Sequence, residues 1–101
     1  KVSLSSTKIT PDNDGYEDLL SISMFLNGNG NAVSVSVFDE TGCFVKKIAT
    51  NMLTGAEATF VWDGTADDGS PVDSGIYIIL INLFDENGKT EGWKKVCTVL
   101  R

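Results

Sequence analysis

The chain has no histidine, two cysteines and two prolines in 101 residues, and eight basic residues against fourteen acidic ones. Each scarcity excludes something. Without histidine, the commonest general base and the commonest zinc ligand are both missing. Serine and cysteine nucleophiles therefore lack an imidazole to activate them. Cys43 and Cys97 stand 54 positions apart, and no C-x-x-C occurs, which argues against zinc and thioredoxin-type chemistry. A disulfide formed in an oxidising compartment and two unpaired thiols both stay open. A net charge of −6 leaves too few bases to neutralise phosphates, so nucleic acid and anionic membrane surfaces are unsuitable partners. The same balance suits a soluble domain with cations nearby. No apolar run reaches the ~18 residues of a membrane-spanning helix. The longest, IYIILINLF at residues 76–84, is interrupted by Asn82. The chain begins with Lys1 and shows no signal peptide, and it reads as a mature piece of something longer.

What is present is the signature of strands. LLSISMFLN places Leu20, Ile22, Met24 and Leu26 on one face and Ser21, Ser23 and Phe25 on the other. NAVSVSVFD repeats the period with Val33, Val35 and Val37 inward and Ser34 and Ser36 outward. NGNGN between them is a turn, since glycine and asparagine accept positive φ. DETG followed by CFVKKIAT marks a hairpin whose second strand carries Val45 and Ile48. NMLTG then reads as a break, with at most one helical turn in NMLTGAEA. Ala58, Phe60 and Trp62 alternate in the next strand, and TADDGSPVDSG has the composition of a long loop. IYIILINLF is apolar on both faces and is expected as a central strand covered on both sides. DENG turns the chain and WKKVCTVL closes it. With a short first strand at residues 2–4, the expectation is one domain over residues 1–101. Its fold class is all-β, an immunoglobulin- or fibronectin-III-like sandwich of about seven antiparallel strands.

Few residues invite a chemical role. Tyr77, in DSGIYII, sits where a tyrosine corner would bond back to upstream backbone, and an exposed binding anchor is its alternative. Trp62 follows the inward period and is expected in the core, while stacking on a sugar ring is its functional alternative. Asp63-Gly64 and Asp68-Gly69 are turn pairs. Glycoside hydrolysis would need two carboxylates at a fixed separation, drawn from Glu57, Asp63, Asp67 and Asp68. Nothing ranks one above another, and so small a sandwich has no room for a deep cleft, so the chain is read as no enzyme.

The stretch PDNDGYED, residues 11–18, is different. Calcium takes six to eight oxygens, and Asp12, Asn13, Asp14 and Asp18 offer them around a turn at Gly15. The EF-hand pattern fails, because Thr10 stands at its first acidic position and Leu20 or Ser21 near its last. A looser surface calcium site remains, shared with Asp67 or Asp68 if the fold brings them together. The structural alternative is that Pro11 stiffens the approach, Asp12 and Asp14 form turns, and Asp18 blunts the next strand.

Taken in order, TPDNDGYED, VSVFDETGCFV, WDGTADDG, GIY and the closing KKVCTVL carry a family likeness. They resemble the Ig-like domain that ends many secreted and surface proteins of Bacteroidetes-type bacteria, often beside lamin-tail-like domains. That domain is similar to the Ig-like domain of the flagellar hook-capping protein and to C-terminal domains of gliding-motility and type IX secretion cargo proteins. Pro11, Asp12, Asp14, Gly15 and Asp18 match its first loop. Val35, Val37, Asp39, Gly42 and Val45 match its hairpin, and Trp62, Asp63, Gly64, Gly69, Gly75 and Tyr77 its later signature. Cys43 departs from the pattern, standing where the family usually has a basic residue. The resemblance implies a non-enzymatic, extracytoplasmic, secreted or cell-surface module that is the last domain of its parent. The partners are then the parent's other domains, with export machinery as a further candidate; the alternative is a surface module that binds calcium or a glycan at the acidic loops near residues 12–18 and 63–68. The resemblance implies a monomer with no required cofactor, calcium aside.

Overall fold

The computed structural model describes residues 2–10, 18–26 and 30–101. Within them, alternating sequence becomes strand and Asp/Gly clusters become turns. The strands are β1 (Val2–Leu4), β2 (Lys8–Ile9), β3 (Leu20–Phe25), β4 (Asn31–Asp39), β5 (Phe44–Thr54), β6 (Glu57–Trp62), β7 (Gly75–Phe84) and β8 (Thr90–Val99). No helix occurs among the described residues. A three-stranded sheet in the order β1-β3-β6 packs on a five-stranded sheet in the order β2-β8-β7-β4-β5. The result is the β-sandwich that the sequence pattern announces.

The inward faces form one core. Leu20, Ile22, Met24 and Trp62 come from the smaller sheet. Val33, Val35, Val37, Tyr77, Ile79, Ile81, Cys97 and Val99 come from the larger one. Each fully buried aliphatic or aromatic side chain contributes on the order of 1.5–3 kcal/mol.

Two turns share one construction. In DETGC and DENGK the leading aspartate accepts backbone hydrogen bonds from residues two and four further on. Asp39 Oδ1 takes Thr41 N and Cys43 N, each at 2.9 Å. Asp85 Oδ1 takes Asn87 N at 2.9 Å and Lys89 N at 2.8 Å. The fourth residue of each is in the left-handed region, with φ 90° at Gly42 and 84° at Gly88, which explains the glycine.

The structure departs from the sequence reading in three places. Among the described residues there are eight strands, because Lys8–Ile9 pairs in parallel with Thr98–Val99. Two residues are too few to show a period. NMLT does not break the chain, since β5 runs through it to Thr54. It does so by bulging: the β4–β5 register shifts three times, and Asn51 adopts φ 45°. Bulges twist this edge strand away from further pairing. Lastly, β7 is central but covered on one side only. Its inward residues are buried, whereas Ile76 is 44% and Phe84 52% exposed on the other face.

Candidate functional site

The chemistry-bearing residues converge on the end of the sandwich where β6 leaves and β7 begins. Trp62 is the last residue of β6, on the inward period, and is fully buried. Its indole Nε1 donates to Thr65 O at 2.9 Å, so the ring stays in the core without a stranded donor. Its ring lies 5.5 Å from that of Tyr77, across the two sheets. Tyr77 Oη donates to Asp73 O at 2.8 Å. That is the tyrosine corner expected of this fold, with the hydroxyl reaching back four residues.

The loop at residues 63–74 is bound at many points. Val72 N donates to Gly64 O at 3.0 Å and Ala66 N to Ser70 O at 2.9 Å. Asp67 N donates to Val45 O at 3.1 Å, and Asp67 Oδ1 accepts Lys47 N at 3.0 Å, tying the loop to β5. Arg101, the chain's single arginine, holds it from the opposite side. Its backbone N donates to Ser74 Oγ and its Nη2 to Gly64 O, both at 2.8 Å, while Nε donates to Val72 O. Sequence reasoning missed this clamp. Its partners lie 27 to 37 positions away, and no local pattern announces so distant a contact.

The acids considered for catalysis are already committed. Asp63 Oδ1 accepts the Thr65 amide and hydroxyl, and Asp68 Oδ1 accepts the Ser70 amide at 2.9 Å and hydroxyl at 2.6 Å. These bonds favour the ionised form. The Thr65 hydroxyl, with Lys46 nearby, holds Asp63 below the usual carboxylate range. The Ser70 and Thr41 hydroxyls do the same for Asp68 and Asp39. A general acid needs the opposite shift. Glu57 opposes Phe25 at the far end of β6. Six strand residues put it ~20 Å from Asp63, beyond the spacing of a carboxylate pair.

Two depressions stand out on the surface of the described residues. One, of about 370 Å³, lies on the exterior of the larger sheet over Ser34, Asn51, Asn82 and Gly92. The other, of about 320 Å³, opens at the opposite end beside Phe25, Asp85, Glu91 and Trp93. Neither is lined by Glu57, Asp63, Asp67 or Asp68.

Of the proposed calcium ligands, Asp12, Asn13 and Asp14 lie outside the described residues. Asp18 stands partly buried two positions before β3. Among the described residues no three His, Cys, Asp or Glu side chains gather in a way that could hold a metal ion. The cysteines are both free, Cys43 exposed on the β4–β5 turn and Cys97 in the core. The structure thus decides against a bridge between them. Burial pushes the Cys97 thiol up to about 11, which keeps it protonated and inert.

Comparison with known proteins agrees with this picture. The model of the FlgD Ig-like domain family matches residues 6–90. The basal-body rod modification protein FlgD of Escherichia coli (strain K12) is 36% identical over 59 residues, covering 58% of this chain and 25% of that protein. The chain therefore spans about a quarter of the length of this curated relative. Among solved structures, FlgD from P. aeruginosa superimposes with a TM-score of 0.62 at 24% identity, over 96% of this chain and 66% of that one. PorZ, an essential bacterial surface component of the type IX secretion system of Porphyromonas gingivalis, superimposes with a TM-score of 0.54 at 22% identity. That match covers 99% of this chain and 11% of PorZ.

Proposed function

This chain belongs to the FlgD Ig-like domain family, and we propose that it serves as a structural accessory module of an exported, surface-associated bacterial protein. It is not an enzyme. Its work is to stabilise and space the domains joined to it and to assist their export. One observation carries the reading. The signature residues that could have been chemical are spent on the protein's own backbone. Trp62 bonds Thr65, Tyr77 bonds Asp73, and Asp39, Asp63 and Asp68 close their own turns. A motif whose polar atoms are satisfied internally specifies a fold rather than a ligand.

The relatives support the wider context. The matched proteins are longer than this chain, and PorZ is a surface component of a secretion system. The Bacteroidetes-type resemblance of the hairpin and closing strand points to the same setting, as the last domain of its parent.

The test is to remove residues 1–101 from the polypeptide that carries them in its source cell. The amount of the remaining protein delivered outside the cytoplasm is expected to fall several-fold, with proteolytic fragments appearing. Unchanged delivery and an unchanged melting profile of the remainder would sink the accessory role.

A further inference from the structure

The exteriors of the two sheets follow different rules. An antiparallel sheet with one face in water alternates apolar-in and polar-out. The smaller sheet does so across its centre, where Ser3, Ser23 and Thr59 stand side by side on its exterior. The larger sheet does not. Directly opposed residues share a face, so the pairing registers define rows across its exterior. One row reads Val96, Ile78, Phe38, Phe44 across β8, β7, β4 and β5. Phe38 and Phe44 meet edge to face at 5.9 Å. Val96 and Phe44 at the ends of this row are each 51% exposed, and Phe38 and Ile78 between them are half-buried.

The next row reads Lys94, Leu80, Ser36, Lys47. Lys47 Nζ lies over the sheet and donates to Ser36 Oγ at 3.1 Å. Across β8, β7, β4 and β5, among the described residues, these two lysines are the charged side chains at outward register positions; Glu91 lines the groove beyond them, and Asp67 meets the Lys47 backbone at the β5 edge. This is the reverse of a chain whose net charge is −6. The row beyond places Asn82 over Gly92, where an added Cβ would come within 3.3 Å of Asn82 Oδ1. That absence of a side chain keeps the groove of about 370 Å³ open.

We propose that this exterior is a docking face for another domain of the polypeptide that carries the chain. Its occupant presents an apolar centre, with carboxylates to pair with Lys47 and Lys94. The proposal rests on the module reading above and adds the surface and its partner's chemistry. Three inter-strand spacings, ~14 Å, separate the lysine backbones, and the Lys47 ammonium leans one strand inward over Ser36, so the partner's carboxylates stand ~10–14 Å apart. A second copy of this chain is the wrong occupant, because it would oppose lysine with lysine and add a second charge of −6. A freely diffusing protein is also disfavoured. Four strands by five rows offer roughly 640 Å², short of the ~800 Å² that each side of a stable free complex buries. A covalently joined neighbour, at millimolar effective concentration, needs no more.

The test is zero-length cross-linking of the polypeptide as its source cell makes it. A carbodiimide joins a lysine amine to a carboxylate only where the two touch, and mass spectrometry of the digest identifies both ends. Links are expected from Lys47 and Lys94 to Asp or Glu outside residues 1–101 of the same polypeptide. Val96→Glu, at an exposed site, should cut their yield about tenfold or more. Val61→Glu, on the exterior of the smaller sheet, should leave it unchanged. The proposal is overturned by links confined to residues 1–101, links to a second copy in a mixture of isotopically labelled and unlabelled protein, links to a separate protein, or yields indifferent to Val96→Glu. A mature polypeptide no longer than this chain would overturn the module reading too. A longer polypeptide without such links overturns the docking face alone.

Discussion

The two sheets share one core and wear different exteriors. On the smaller sheet, Ser3, Ser23 and Thr59 occupy the middle of the outer face, as water requires. On the larger, Val96, Ile78, Phe38 and Phe44 form a continuous outward row. The inward faces are alike, with Ile22 and Met24 as fully buried as Ile79 and Ile81. Folding of this domain explains the inward residues of both sheets. It does not explain the outward residues of β7, which contribute little to the core and carry an aggregation risk if left bare. The difference separates residues selected by the fold from residues selected by what the fold meets.

The largest expected effect breaks the part the sheets hold in common. Trp62→Ala removes a fully buried indole that packs on Tyr77 of the other sheet, and should cost roughly 3–5 kcal/mol. Val61→Ala, one residue away but 47% exposed, should stay within about 0.5 kcal/mol. Urea unfolding of the pair measures the contrast between inside and outside directly. Equal midpoints would mean that the core does not join the sheets at Trp62.

A smaller effect is expected at the corner of the larger sheet. Tyr77→Phe keeps the ring and removes the bond to Asp73 O, for a loss of about 1 kcal/mol in the same unfolding experiment. A loss as large as that of Trp62→Ala would show that the hydroxyl, rather than the ring, secures this corner.

The smallest effect is electrostatic and belongs to the loop between the sheets. The folded-state pKa of Asp63 lies below its ordinary value of 3.8, chiefly through the Thr65 hydroxyl. A depressed folded value means that the unfolded chain takes up the proton first. The stabilisation is therefore complete above about pH 4 and is lost as pH falls through the folded value. Asp63→Asn should flatten that acid limb while leaving the rest of the stability profile in place. Parallel limbs for the two proteins would show that the Asp63 bonds contribute nothing to acid resistance.

Much of this was legible in advance. The periods in LLSISMF and NAVSVSVF identified the buried Leu20, Ile22, Met24, Val33, Val35 and Val37 because strand side chains alternate strictly. Tyr77 and Trp62 were legible from their neighbours, since a corner and a core position each have a local context. NMLT was misread because a bulge at Asn51 disrupts the alternation that marks a strand. Arg101 was missed because the loop it holds adjoins it only after folding. The loop with Asp12, Asn13 and Asp14 lies outside the described residues, and its reading as a calcium site stands where the sequence left it.

By itself, then, the sequence determined that the chain is a β-sandwich and which residues enter its core. These follow from local rules, alternation and turn chemistry. Only the tertiary structure decided which strands neighbour one another, that Arg101 clamps the loop at residues 63–74, and which face of IYIILINLF stays uncovered. Those depend on contacts between distant residues, and a one-dimensional pattern records that a face is apolar without recording what lies against it.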